Sequence, residues 1–237
     1  MSDPALLAIS FVDTARGVHG SARSGLTLLF EGQKASSHAE GPALAGDAGA
    51  GWHAELTDLL SLDFAPVGPV AELSGAHAHV CTVSGEALGG RVDGMGVVTE
   101  TLAPPRWDEL DALRSVHALF DREHAVVALA RRPRGAAGHG EELVSAQLLT
   151  DGELAAIEDA RLSTIYDGEG RPRRAGLELW LPGEDFPRRA FGVVTAGASL
   201  ALDGLDVHAA LMSWRMEGRE GAGIYELTVR EPAPAAA

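Results

Sequence analysis

GGRVDGMGVVTE at residues 89–100 and EGREGAGIYELT at residues 217–228 carry Gly-Arg, Gly-x-Gly, a β-branched residue and an acid in the same order. Aligning Gly90-Arg91 with Gly218-Arg219, with two single-residue deletions, sets Gly94, Gly96, Val97 and Glu100 against Gly221, Gly223, Ile224 and Glu226. Acids at matched places are candidates for proton transfer. A carboxyl group held in an apolar cavity has its pKa raised, because desolvation disfavours the charged form, and it can keep a proton near neutral pH. Glu100 and Glu226 lead as catalytic residues, with Asp108 and Asp93 behind them. The plainer alternative is that Glu100 and Glu226 face water or pair with Arg91 and Arg219 across their hairpins. Trp107, Trp180, Trp214, Tyr166 and Tyr225 offer ring faces that attract positive charge. With His117 they form the set of candidate ligand-binding residues, although only 5 % of the chain is aromatic and each ring could equally be core.

Other chemistries find less support. His77-Ala-His79 would project two imidazoles from one strand face, as in the His-x-His of cupins. That pattern wants an acid shortly afterwards, where Ser84 stands, and Glu86 comes too late, so no metal site is expected. Arg171, Arg173 and Arg174 could clamp an anion or simply form a solvated turn. There is no Gly-x-Ser-x-Gly elbow, P-loop or His-Glu-x-x-His motif, and Gly94-x-Gly96 lacks the third glycine of a dinucleotide fingerprint. No cofactor is expected. The lone cysteine, Cys81, precludes an internal disulfide and suits a reducing cytoplasm.

The scaffold that must position these residues reads as β-structure. The chain has 237 residues, of which 46 % are apolar, enough for one large β domain or two modest ones. Most of it is written in short pieces with period two, punctuated by 29 glycines, which is the pattern of antiparallel sheets. Expected strands cover 26–30, 60–64, 77–84, 97–101, 125–130, 143–149, 175–181, 189–195, 207–216 and 223–230. WHAELTDLLSLDF also leans towards strand. PPRWDELDALRS predicts a short helix, with Trp107, Leu110 and Leu113 at helical spacing and acids in the first turn. TDGELAAIED, with Thr150 and Glu153 in capping-box spacing, divides about evenly between helix and strand. In each copy of the near-repeat, an alternating strand (AHAHVCTV, VHAALMSW) enters a Gly-Arg turn and leaves through Gly-x-Gly, a β-hairpin. The plainer reading is that any two glycine-rich hairpins look alike; the sharper one is a duplicated β unit, with an N-terminal unit over 1–103, a C-terminal unit over 104–230 and a low-complexity tail over 231–237.

GMGVVTETLAPPRWDEL, RLSTIYDGEGRPRRAGLELW and SWRMEGREGAGIYEL resemble segments of the AttH-like proteins related to carotenoid 1,2-hydratase, also called hydroxyneurosporene synthase-like. The resemblance runs from Gly20 to Arg230 and implies two tandem lipocalin-like antiparallel barrel or sandwich units, an all-β fold with one or two short helices. Members of that group carry a His-Ser-Trp-Gly element in the linker between units. Anchored on Gly96 and Trp107, the corresponding residues are Glu100, Thr101, Leu102 and Ala103, so the histidine and the tryptophan are both missing, and Glu100 stands where an imidazole would.

The resemblance implies a cofactor-independent acid/base enzyme of hydratase, isomerase or cyclase type, working on an unsaturated, isoprenoid-like hydrophobic small molecule. The alternative is a carrier that binds such a ligand unaltered, as lipocalin-like barrels commonly do. A net charge of −15 argues against nucleic acid and anionic membranes as partners. With no apolar stretch long enough for a membrane span and no signal-like N-terminus, the expectation is a soluble, cytoplasmic protein.

Overall fold

The computed structural model describes residues 6–137, 139–202 and 204–230; the tail expected over 231–237 lies outside them. The first ten strands are β1 (Leu6–Asp13), β2 (Val18–Arg23), β3 (Leu26–Glu31), β4 (Lys34–His38), β5 (Ala43–Asp47), β6 (Gly51–Leu56), β7 (Leu60–Pro66), β8 (Ala71–Leu73), β9 (Ala76–Ala87) and β10 (Gly90–Thr101). They form one antiparallel sheet in the order β4-β3-β2-β1-β10-β9-β7-β6-β5, with β8 beside β9. Nine more follow: β11 (Leu110–Leu119), β12 (Ala125–Pro133), β13 (Leu143–Thr150), β14 (Glu153–Ala155), β15 (Asp159–Tyr166), β16 (Pro172–Trp180), β17 (Arg188–Leu202), β18 (Leu205–Met216) and β19 (Arg219–Arg230). Their order is β14-β13-β12-β11-β19-β18-β17-β16-β15. In both sheets a four-stranded meander leaves the centre, and a second meander returns from the far edge to pair with the first strand. The fold is all-β, two tandem lipocalin-like curled antiparallel sheets.

The expected helices are absent among the described residues, where helical structure is limited to a single 3-10 turn at His139–Glu141. PPRWDELDALRS forms turns that lead into β11, in which Leu110, Ala112, Arg114, Val116 and Ala118 are all buried on one face. That ten-residue period of two outweighs the three residues at helical spacing. TDGELAAIED is a hairpin: Asp151 (φ 52°) and Gly152 (φ 79°) form a two-residue turn of the primed kind between paired Thr150 and Glu153. Leu88-Gly89 and Glu217-Gly218, also with positive φ, close the β9–β10 and β18–β19 hairpins of the near-repeat.

The central strands of each sheet bury both of their faces and several of them read as continuous apolar runs, whereas β15 and β17 keep one face exposed. All residues from Leu26 to Phe30 are buried. Leu29 joins Phe11, Trp52, Leu62, Phe64 and Val98 inside the first sheet's curl. Leu26, Leu28 and Phe30 turn the other way, to meet Leu119, Val127, Leu149, Leu211 and Ile224 of the second sheet. The second curl has its own core around Val116, Val126, Leu177, Met212, Trp214 and Tyr225.

The Gly-x-Gly pairs bring the two central strands of each sheet together. A Cβ on Gly94 or Gly221 would strike the carbonyl of Val12 or Leu119, and one on Gly96 or Gly223 that of Ser10 or His117. These contacts equate Ser10 of β1 with His117 of β11. They predict that Gly223→Ala costs about 2–3 kcal/mol through overpacking against backbone. Gly168→Ala, at a position with open space around it, should leave the urea unfolding midpoint unchanged.

Candidate functional site

Ser10, Arg23, Ser115, His117, Arg131 and Glu226 gather at one end of the inter-sheet faces. There the two sheets part to leave a cleft of about 620 Å³, walled by β1, β2, β10, β11, β12, β18 and β19 and by the segment that joins the sheets. The walls are mostly aliphatic, including Leu6, Leu26, Leu113, Leu129, Leu205 and Ile224. Into this lining project Ser10, Arg23, Thr99, Ser115, His117, Arg131 and Glu226.

Glu226 forms an ion pair with Arg23, a contact between the two sheets, and its side chain is only 12 % exposed. Ser10 Oγ lies 2.7 Å from His117 Nδ1, a second bridge between the sheets. Burial lowers the His117 pKa from 6.5 to about 4, so the ring is neutral at pH 7. With Nδ1 engaged by Ser10, Nε2 is the nitrogen left for the cleft. Glu226 is paired across the ladder with Ser115, two residues from His117 on β11. Such diagonal neighbours on one sheet face are roughly 7–8 Å apart. A carboxylate and a neutral imidazole at that spacing can share a small molecule or a water between them.

The sequence candidates scatter. Glu226, His117 and Trp107 reach the cleft. Glu100 does not: Thr99 and Thr101 on either side of it line the cleft, and Glu100 turns towards His77 (3.9 Å) and His79 (3.6 Å). The reason is register. Glu226 is three residues beyond Gly223, whereas Glu100 is four beyond Gly96, and one residue in a strand exchanges the faces. The true counterpart of Glu226 is Thr99. Asp108 is exposed and paired with Arg106 at 3.0 Å, outside the cleft.

Trp214 and Tyr225 are fully buried in the second core, and Tyr166 packs against it. Tyr225 Oη is 2.8 Å from Thr164 Oγ1 and takes part with it in a buried network around Arg114, which pairs with Glu142. Burial pushes the Tyr225 pKa up. Trp180 carries the Arg161 guanidinium over its ring at 4.8 Å. Of the arginine run, Arg171 is tied to Asp167 and Glu169 in its own turn. His79 stacks obliquely on Trp52, with ring centroids 4.7 Å apart. Among the described residues no three His, Cys, Asp or Glu side chains are grouped to hold a metal ion. Cys81 is buried, which raises its thiol to about 12. Among the described residues, no helix is long and apolar enough to cross a membrane.

Arg23, Ser10 and Arg131 were not singled out from sequence. Each is a polar residue on a strand, and nothing in its local pattern distinguishes a cleft wall from a solvated face.

The whole architecture recurs in solved structures. A protein provisionally named AttH from Nitrosomonas europaea superposes with a TM-score of 0.64 at 12 % identity, over 94 % of this chain and 92 % of that one. Kievitone hydratase from Nectria haematococca gives a TM-score of 0.59 at 9 % identity, over 97 % of this chain and 90 % of that one. This chain has their fold. No protein-family model matches it, and no curated protein matches it in sequence.

The two buried imidazoles on the inter-sheet faces set an acid limit on stability. His19 is also lowered to about 4 by burial, against the opposing pull of Asp13. A pKa lower in the folded than in the unfolded protein means that the unfolded chain takes up more protons as pH falls. The stabilisation is complete above about pH 6.5 and is lost between there and about pH 4. At pH 5 the loss should be on the order of 1–2 kcal/mol per ring relative to pH 7.5. Urea midpoints across pH 7.5–5 should show this slope, and it should flatten in His19→Asn/His117→Asn.

Proposed function

We propose that the inter-sheet cleft is the active site of an acid/base enzyme of hydratase type, which adds water to, or removes it from, an unsaturated hydrophobic small molecule. The observation that carries this reading is the convergence of Glu226–Arg23 and His117–Ser10 in one aliphatic-walled cleft. Two polar pairs in a lining of leucines and isoleucine match the composition of small-molecule sites. The volume suits a ligand of lipid or terpenoid size. That a protein of this fold is named a hydratase adds weight to the reading.

The ion pair changes the role given to the acid. Beside the Arg23 guanidinium, Glu226 serves as a carboxylate base towards water rather than as an acid towards an alkene. In the hydration direction Glu226 takes a proton from water as the oxygen bonds to one alkene carbon. The other carbon then receives that proton. His117, with Ser10 donating to Nδ1, presents Nε2–H as a hydrogen-bond donor to an electron-withdrawing group on the substrate, whose charge grows as water adds. Aliphatic walls keep bulk water away and strengthen both interactions.

The test uses purified protein in heavy-oxygen water with a panel of polyprenyl and carotenoid compounds whose alkenes are conjugated to a carbonyl group, analysed by mass spectrometry. The expected result is a product one labelled water heavier. Glu226→Gln should lower its rate at least ~100-fold and His117→Gln roughly 10–100-fold, both with KM little changed. Retention of an intact ligand with no turnover would make the protein a carrier. A rate unaffected by Glu226→Gln would move the chemistry elsewhere.

A further inference from the structure

In the cleft the charge balance of this acidic chain reverses. Of the charged side chains on its walls, Arg23 and Glu226 cancel, leaving Arg131 over, against −15 for the whole chain. Arg131 extends from β12, opposite Leu113 of β11, and is half-buried. Its guanidinium crosses the domain gap to lie against Gly75 in the turn before β9, so closely that a Cβ there would collide with it. Its Nε is buried without a hydrogen-bond partner. Among the described residues no acid lies within ion-pair distance of it, although the neighbouring Arg132 pairs with Glu142.

Removing a guanidinium from bulk water without a counter-charge is unfavourable, and proteins normally pair such groups. Here the missing partner has a clear place to arrive, since the cleft opens onto Arg131. Resting on the reading of the cleft as the substrate site, we infer that its ligand carries an acidic head group, a carboxylate, which docks on Arg131. The planar fork of the guanidinium matches a carboxylate with two parallel hydrogen bonds. Glycine at 75 leaves the room that the guanidinium itself takes up.

The inference also orients the ligand. Arg131 and Glu226 flank β11 on its two sides, opposite Leu113 and Ser115. Two strand spacings across and two residues along put them on the order of 10 Å apart on the sheet. An acid held at Arg131 therefore leaves the apolar body running over Leu113 and Leu129, with the unsaturated carbons near Glu226 and His117. The head group and the reacting carbons belong to different parts of the molecule.

The test compares two polyene probes that differ only in the head group, cis-parinaric acid and its methyl ester, by their fluorescence on binding at pH 7.5. The wild-type protein should bind the acid at least ~10-fold more tightly than the ester, since a hydrogen bond to a charged group is worth ~1.5–3 kcal/mol. Arg131→Gln should erase that preference while leaving the ester Kd within about two-fold. Arg131→Lys should restore part of it. Equal binding of acid and ester by the wild-type protein, or a preference that survives Arg131→Gln, overturns the acidic head group and leaves the hydrophobic cleft standing. Binding of neither probe by cooperatively folded protein overturns the cleft reading itself, and this inference with it.

Discussion

The central strands of neither sheet leave a face in water, and the rest of the structure answers to that constraint. Curling covers one face with the sheet's own strands, around Phe11 and Phe64 in the first unit and Trp214 and Tyr225 in the second. The other face needs the second sheet, which supplies Leu119, Val127, Leu211 and Ile224 against Leu26, Leu28 and Phe30. The curl in turn needs strands that approach backbone to backbone, and the Gly-x-Gly pairs at 94/96 and 221/223 permit this at corresponding places. Where the sheets diverge, the paired faces cannot be filled by side chains alone, and the cleft is the space left over.

Because both sheets have one strand order, cleft positions on the central strands have counterparts: Leu6 matches Leu113 and Thr101 matches Thr228, but the residues of the two polar pairs match unlike ones. Ser10 corresponds to His117, Thr99 to Glu226, and Arg23, opposite Ala8, to Leu129, opposite Ser115. Ser10 and His117, equivalent in their own sheets, bond directly to one another, as expected of units related by an approximate two-fold axis. A symmetric cleft would carry two copies of every group. Here one half contributes the guanidinium and the serine, and the other contributes the carboxylate, the imidazole and Arg131. The asymmetry lies in the chemistry while the backbone stays alike, so a single ligand can be held in one orientation.

Much of the scaffold was legible because it depends on short-range patterns. Ten expected strands fall on strands of the structure, with Leu181 alone beyond its end, and the near-repeat marked two equivalent hairpins. The short helix over PPRWDELDALRS failed because local acids and prolines were weighed above the period of two that starts at Leu110. Edge strands such as KASSH in β4 and ALAGD in β5 carry mostly exposed residues and gave no apolar alternation to read. The site was legible only in part. Glu226, His117 and Trp107 were among the candidates, but Glu100 fell on the wrong face by one residue, a distinction that rests on ladder register and not on composition. Trp214 and Tyr225 share the near-repeat's hairpin with Glu226, yet they point into the second core.

Electrostatics ties the cleft to the chain as a whole. Thirty-four acidic residues against nineteen basic ones give a surface that repels anions at a distance. That field is screened by salt over roughly 8–10 Å, whereas a guanidinium inside a low-dielectric cleft acts at contact. On the proposed reading, an acidic chain that keeps an excess positive charge at an internal site discriminates by depth: its surface repels polyanions, and a ligand apolar enough to enter the aliphatic walls comes within reach of Arg131. The same walls keep His117 neutral, since the burial that makes room for an apolar ligand is what lowers its pKa to about 4. The proposed ligand selection and the protonation state of the imidazole thus follow from one property of the interface, the aliphatic lining that the two-sheet arrangement had to provide.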